Sequence, residues 1–243
     1  MKTTEPDTDR ADEPGGPVGL AADRALLSRT STAERVADIL RTRIAEGYFQ
    51  PGERLSEDMI GKALGVSRNT LRESFRLLTH ERLLVHRLNR GVFVRMLAVQ
   101  DVVDIYRTRL LVECAVVHDL GEPPYALARL DAAVGGGERA ALDEDWRGVS
   151  TANIHFHSEL VALAGSARTD ELMRSVLAEL RLAFHVVDDP RGLHQPYLVR
   201  NRAILEALRS GDRTHAEGLL AQYLADSRAQ LVEAYAGLVT DDA

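Results

Sequence analysis

The chain has 243 residues, 45% of them hydrophobic and 28% charged, the balance of a globular protein with one large or two modest domains. No apolar run approaches the ~18 residues of a membrane span, no signal-peptide core stands at the N-terminus, and a single cysteine, Cys114, excludes an intramolecular disulfide and suits a reducing cytoplasm. The net charge of −7 argues against nucleic acid only until it is mapped. Residues 31–97 hold 12 Lys and Arg against 8 Asp and Glu, a net of +4, while 98–243 hold 14 against 23 and 1–30 hold 4 against 6. Such asymmetry gives one part of the chain a basic face for a polyanion.

Residues 1–30, rich in Pro, Gly and Asp around "DEPGGPVG", read as a disordered tail. Order begins at "STAERVADILRTRIAEG", where Ser31 and Glu34 form a capping box and Val36, Ile39, Leu40 and Ile44 recur at helical spacing. "YFQPGERL" ends this helix in a Pro51-Gly52 turn. In "SEDMIGKALGVSRNTLRESFRLLTHERLL", Ser56 caps a short helix and Gly65 closes it. Ser67 caps a second, whose Leu71, Phe75 and Leu78 pack on the first. Two short helices across a tight Gly-containing turn are a helix-turn-helix. "LLVHRLNRGVFVRML" then places Asn89-Arg90-Gly91 as a turn between two short strands, a wing. From Val99 on the pattern is helical only, approximately over 99–120, 125–140, 142–165, 168–188, 197–210 and 212–238. The Gly135-Gly136-Gly137 run is expected to weaken or break the second of these, and "DDPRGLHQP" to separate the fourth from the fifth. The fold class is therefore mainly α: a winged helix-turn-helix over 31–97, then an antiparallel bundle of about six helices over 98–238. Cys114, in the apolar stretch LLVECAVV, reads as a packing thiol.

Arg68, Arg72 and Arg76 are spaced by four and form one stripe on the second short helix. Ser67, Asn69 and Thr70 stand in its first turn. In a helix-turn-helix this end meets base edges in the major groove: Arg suits guanine, Asn or Thr adenine or the thymine methyl, and the free N–H groups a phosphate. The alternative, a solvated arginine face, leaves the tight turn, the wing and the local +4 unexplained.

"LSEDMIGKALGVSRNTLRESFRLLTHERLL" followed by "NRGVFV" resembles the winged helix of GntR-type bacterial transcription regulators. "VQDVVDIYRTRLLVE" is similar to the opening of the helical (FCD) effector domain of the FadR-like subfamily, and "NRAILEALRSGDRTHAEGLLAQYL" to that domain's last two helices. The resemblance spans about residues 31–235. It implies a homodimer on a palindromic operator, most simply a repressor, answering to a small, acidic metabolite. It places Arg68, Asn69, Thr70 and Arg72 at the DNA, with Arg90 and Gly91 at the wing tip. Asn69-Thr70-Leu71 stands where the family often has Thr-Pro-Val, so base preference is expected to differ.

Many members of this subfamily hold a divalent metal on one Asp and three His. Here those positions fall on Asn153, His157, Asn201 and Tyr223. Asn and neutral Tyr are poor ligands, and His155, about 200° around the helix from His157, points away. No metal and no other cofactor is expected. The four residues instead form a polar cluster that can hydrogen-bond an effector or simply satisfy itself. Arg109 matches a family arginine facing the same cavity. It suits a carboxylate or a salt bridge to Glu113. His185 and His194, flanking "DDPRGLHQP", receive no role. Three rivals remain. A metal-sensing regulator would need ligands from His157, His118 or elsewhere. A structural DNA-binding protein would bind no effector. An enzyme using the His155/His157 region lacks any HExxH, GxSxG, phosphate loop, CxxC or nucleophile–base pair, so no catalytic residue is assigned.

Overall fold

The computed structural model describes residues 31–241, and the tail expected at 1–30 lies outside the described residues. Helix α1 (Thr32–Ala45) opens on the capping box: the Glu34 N–H donates to Ser31 Oγ (3.1 Å) and the Ser31 N–H to Glu34 Oε2 (2.6 Å). Two orphan donors of the helix start are thereby satisfied. Val36, Leu40 and Ile44 are buried, whereas Ile39 stays 45% exposed.

Helices α2 (Glu57–Leu64) and α3 (Arg68–His80) form the helix-turn-helix. Gly65 ends α2 at φ 64°, the left-handed region that glycine enters without a Cβ clash. Ser67 caps α3 by accepting from the Thr70 N–H (3.1 Å). Leu71, Phe75 and Leu78 are buried beneath it. In the wing, β2 (Leu84–Arg87) pairs antiparallel with β3 (Gly91–Val94), Arg87 opposite Gly91. One strand differs from expectation. Residues read as the end of a turn form β1 (Arg54–Leu55), which pairs with β3 and makes a three-stranded sheet in the order β1-β3-β2. Two residues carry no periodicity to read; the pairing and the burial of Leu55 define this strand.

The bundle comprises α4 (Val99–His118), α5 (Ala128–Leu142), α6 (Trp146–Ala162), α7 (Ala167–Phe184), α8 (Pro190–Arg209) and α9 (Arg213–Asp241). Helix α4 packs on α7 and α9, and α6 on α5, α7 and α8. The glycine run does not break α5. A Cβ at Gly137 would lie 3.2 Å from Leu198 and 3.3 Å from Ala152. The missing side chain lets α5 close on α8 and α6, and packing outweighs the ~1 kcal/mol propensity penalty per glycine. Helix α8 starts seven residues before the expected 197. Asp189 caps it by accepting from the Gly192 N–H (2.9 Å), and Pro190 takes the first position, where no N–H is needed. Pro196 lies inside the helix and cannot donate to the Gly192 carbonyl; Gln230 Nε2 of α9 donates there instead (3.0 Å). Cys114 is half-buried against the core, and burial pushes its thiol up to about 11, which fits packing rather than reactivity. Among the described residues no helix is long and apolar enough to cross a membrane.

Candidate functional site

The outer face of α3 carries Arg68, Arg72 and Arg76, all exposed. Each touches one carboxylate: Arg68 Nη2 to Asp58 (3.0 Å), Arg72 Nε to Glu57 (3.0 Å) and Arg76 Nη1 to Glu73 (3.3 Å). Exposed pairs of this kind are worth ~0–1 kcal/mol, so they hold the guanidiniums in place and yield readily to a phosphate or a guanine edge. Asn69 is exposed, and the Thr70 hydroxyl is tied to Ser67 Oγ (2.8 Å). A groove of about 660 Å³ separates α3 from the wing, lined by Arg72, Arg76 and His80 on one side and His86 and Val92 on the other. At the wing tip Asn89 (φ 59°) and Gly91 (φ 102°) turn the chain and leave Arg90 exposed. A Cβ at Gly91 would also come within 3.3 Å of Arg54 Nε. All eight residues assigned to DNA therefore lie on α3, its cap or the wing tip.

The second constellation is inside the bundle. Asn153 and His157 on α6, Asn201 on α8, Tyr223 on α9 and Arg109 on α4 are all buried. Asn153 Oδ1 accepts from both Asn201 Nδ2 (2.9 Å) and the Tyr223 hydroxyl (2.8 Å), and the Tyr223 and His157 rings meet edge-on at 4.9 Å. Arg109 Nε donates to Glu113 Oε1 (2.7 Å), and the other oxygen of that carboxylate takes His157 Nδ1 (2.6 Å). The salt bridge foreseen as one alternative for Arg109 is present, and Glu113 also joins Arg109 to His157. That second role was missed, although the four-residue step from Arg109 already put Glu113 on the same helix face.

Burial raises the Glu113 carboxyl, but Arg109 and His157 outweigh it and leave it below the usual range. Burial, then Arg109, lowers His157 against the pull of Glu113. The histidine is thus neutral at neutral pH, its Nδ1–H faces a carboxylate, and its Nε2 carries a lone pair. Three buried polar atoms of this cluster have no hydrogen-bond partner: Arg109 Nη2, His157 Nε2 and Asn201 Oδ1. The cavity beside Asn153 and Asn201 measures only about 10 Å³, the size of one water. His155 is exposed. His194, given no role by the sequence, is buried on α8 and lines this cavity; the Asp189-Pro190 cap-and-first-turn pair was the signal that the helix begins early enough to carry it.

The donor set does not suit the divalent metal found in many members of the resembling subfamily. Asn153 Oδ1 is committed to two hydrogen bonds. Burial pushes the Tyr223 phenol well above its ordinary value, so it offers no phenolate. Among the described residues no group of three or more His, Cys, Asp and Glu could hold a metal. His118 lies at the exposed end of α4 with Glu217 (3.1 Å).

The model for the bacterial regulatory proteins of the gntR family matches residues 32–94, and the FCD domain model residues 104–226. A GntR transcriptional regulator from Rhodococcus sp. RHA1, known by its crystal structure, is 50% identical over 85% of this chain and all of that one, with a TM-score of 0.82. The gluconate operon transcriptional repressor of Bacillus licheniformis is 40% identical, but over 39% of each chain, so this chain spans about two fifths of that relative. The "Probable D-xylose utilization operon transcriptional repressor" of Paenarthrobacter nicotinovorans is 29% identical over 82% of this chain and 88% of its own. The chain belongs to the GntR family of bacterial regulatory proteins, with an FCD domain following its helix-turn-helix.

Proposed function

We propose that the protein is a transcriptional repressor that binds a palindromic operator as a homodimer through α3 and the wing, and answers to a small hydroxylated acid in the bundle. The observation that carries the DNA reading is the exposed Arg68/Arg72/Arg76 face on a capped helix beside a wing. An inverted repeat needs two copies of the reader. Leu111 and Leu172, exposed around one groove between α4 and α7, supply an apolar face for the second copy.

The three unpartnered atoms support this choice of effector. Arg109 Nη2 can donate to a carboxylate, while His157 Nε2 and Asn201 Oδ1 can accept from hydroxyls. Leaving them unpaired is unfavourable by ~1–3 kcal/mol each, which a ligand bringing the complementary groups regains. The water-sized cavity means that the bundle must open to admit it. Relatives named for gluconate and D-xylose operons agree with a polyhydroxylated ligand. No tightly held metal takes part. A thermal-shift screen of hydroxy acids, sugar acids and acyl thioesters, with operator release as second readout, tests this reading. A hydroxy acid should raise the melting temperature and lose that effect in Asn201→Ala. A response only to acyl thioesters, or none, would defeat it.

A further inference from the structure

A cleft of about 210 Å³ opens where the winged-helix domain meets the bundle. Trp146 and Phe184 give it an apolar surface, and Arg147 and Arg181 two guanidiniums. Arg181 Nε donates to the Ala45 carbonyl at the end of α1 (2.9 Å) and its Nη2 to Thr151 Oγ1 (2.5 Å), while Arg147 Nη2 reaches the Glu46 carbonyl. Among the described residues neither arginine makes an ion pair with a carboxylate, and Arg191, whose guanidinium stacks 5.5 Å from the Trp146 ring, makes none either. The one carboxylate lining the cleft, Glu46, is taken by Arg43 (2.9 Å).

Arg181, partly buried, has no carboxylate in an ion pair, which is unusual because such charges are as a rule paired, and the exposed Arg147 and Arg191 stand beside the same cleft. The neighbours register the excess. Burial, then the Arg147 charge, lowers Arg181 against the pull of the Glu46 carboxylate. Burial, then Arg181, pushes His194 down to about 4 and lowers His185 as well. Both imidazoles line the cleft, and His185 Nε2 has no hydrogen-bond partner. A carboxylate between the guanidiniums relieves this crowding, and a flat apolar body can lie against the indole and the Phe184 ring.

We infer that this cleft is a second ligand site, separate from the Asn153 cluster, and that it takes a small aromatic or unsaturated carboxylate. Its occupancy bears on DNA binding directly. The N–H groups a carboxylate recruits are those that hold the Ala45 and Glu46 carbonyls, so the ligand loosens the grip of α6 and α7 on α1. His194 lines both this cleft and the inner cavity, so the two sites share a wall.

Trp146 is the chain's one tryptophan, so its fluorescence reports the cleft. The test is a titration of the full chain with sodium benzoate at constant ionic strength, excited at the red edge of the indole band, where benzoate does not absorb. The expected result is a saturable change in emission, with a midpoint about tenfold weaker in Arg147→Gln and in Arg181→Gln. Arg147 is exposed, so its variant keeps the test valid if Arg181→Gln fails to fold. Tyr223→Phe should leave the midpoint unchanged. Inorganic phosphate, a charge without a flat body, should give no saturable change over the same range. The inference is overturned by an absent benzoate response, by a wild-type midpoint in folded Arg147→Gln, by an equal response to phosphate, or by loss of the response in Tyr223→Phe.

Discussion

The two regions place their charges differently. The winged helix exposes Arg68, Arg72, Arg76 and Arg90, each free to trade a surface carboxylate or water for DNA. The bundle withdraws Arg109, Glu113 and His157 to 1%, 0% and 0% exposure and joins them through the Glu113 carboxylate. Exposed charge is cheap, screened by salt and suited to a polyanion that must be searched along. Buried charge is held in a fixed geometry and suits a small ligand whose few polar groups must match. The net charge of −7 describes neither region.

The contrast breaks most visibly at Glu113. Glu113→Ala leaves Arg109 charged, buried and unpaired, and should lower unfolding stability by about 3–5 kcal/mol. Asp58→Ala, which removes the surface partner of Arg68, should change it by at most about 1 kcal/mol. Urea unfolding of both variants decides the matter; equal effects would mean that the buried and exposed ion pairs contribute alike.

Acid should act on the bundle next. His194 titrates at about 4 in the folded protein against ~6.5 in an unfolded chain. Below ~6.5 the unfolded state therefore takes up a proton that the folded state refuses. Stability is intact above that pH and declines by up to about 3 kcal/mol as pH falls towards 4. His157 and His185, also lowered, steepen the decline. His194→Gln should flatten it, as chemical denaturation at a series of pH values will show. An unchanged slope would mean that His194 does not carry the titration.

At the DNA face the effects are smaller and salt-dependent. Arg68→Ala should weaken operator binding by about 1–3 kcal/mol and relax specificity at one base pair, with stability unaltered. The smallest effect belongs to Tyr223→Phe, which removes one of the two donors to Asn153 Oδ1 and should lower stability by about 1 kcal/mol. Its effect on the ligand-induced melting shift should be larger than that. Elemental analysis of untagged protein should find well under one Zn or Ni per chain. A stoichiometric metal lost in His157→Ala would replace the hydrogen-bonded cluster with a coordination site.

The helix-turn-helix was legible because its signals are local. Ser31, Gly65 and Ser67 act on residues within one turn, and the α3 stripe repeats every four residues. β1 was not legible, because two residues gain strand character only from the partner they meet. Helix α5 survives its glycines, and α8 its proline, through contacts with residues far along the chain: Leu198 and Ala152 against Gly137, and Gln230 for the Gly192 carbonyl. The cluster was half legible. The resemblance marked Asn153, His157, Asn201 and Tyr223, but the carboxylate that orders His157 lies on another helix, and the spacing of Arg109 and Glu113 alone could not say what else Glu113 touches.

Whether the exposed face of α3 reads duplex DNA is decided by selecting duplexes from a random-sequence pool with the full chain. Anisotropy titrations of the recovered sequence then follow, with wild type, Arg68→Ala and Arg76→Ala at several salt concentrations. The expected outcome is an enriched inverted repeat, affinity that falls steeply with salt, and a clear loss in Arg68→Ala. No enriched repeat, or wild-type affinity in both arginine variants, would contradict it.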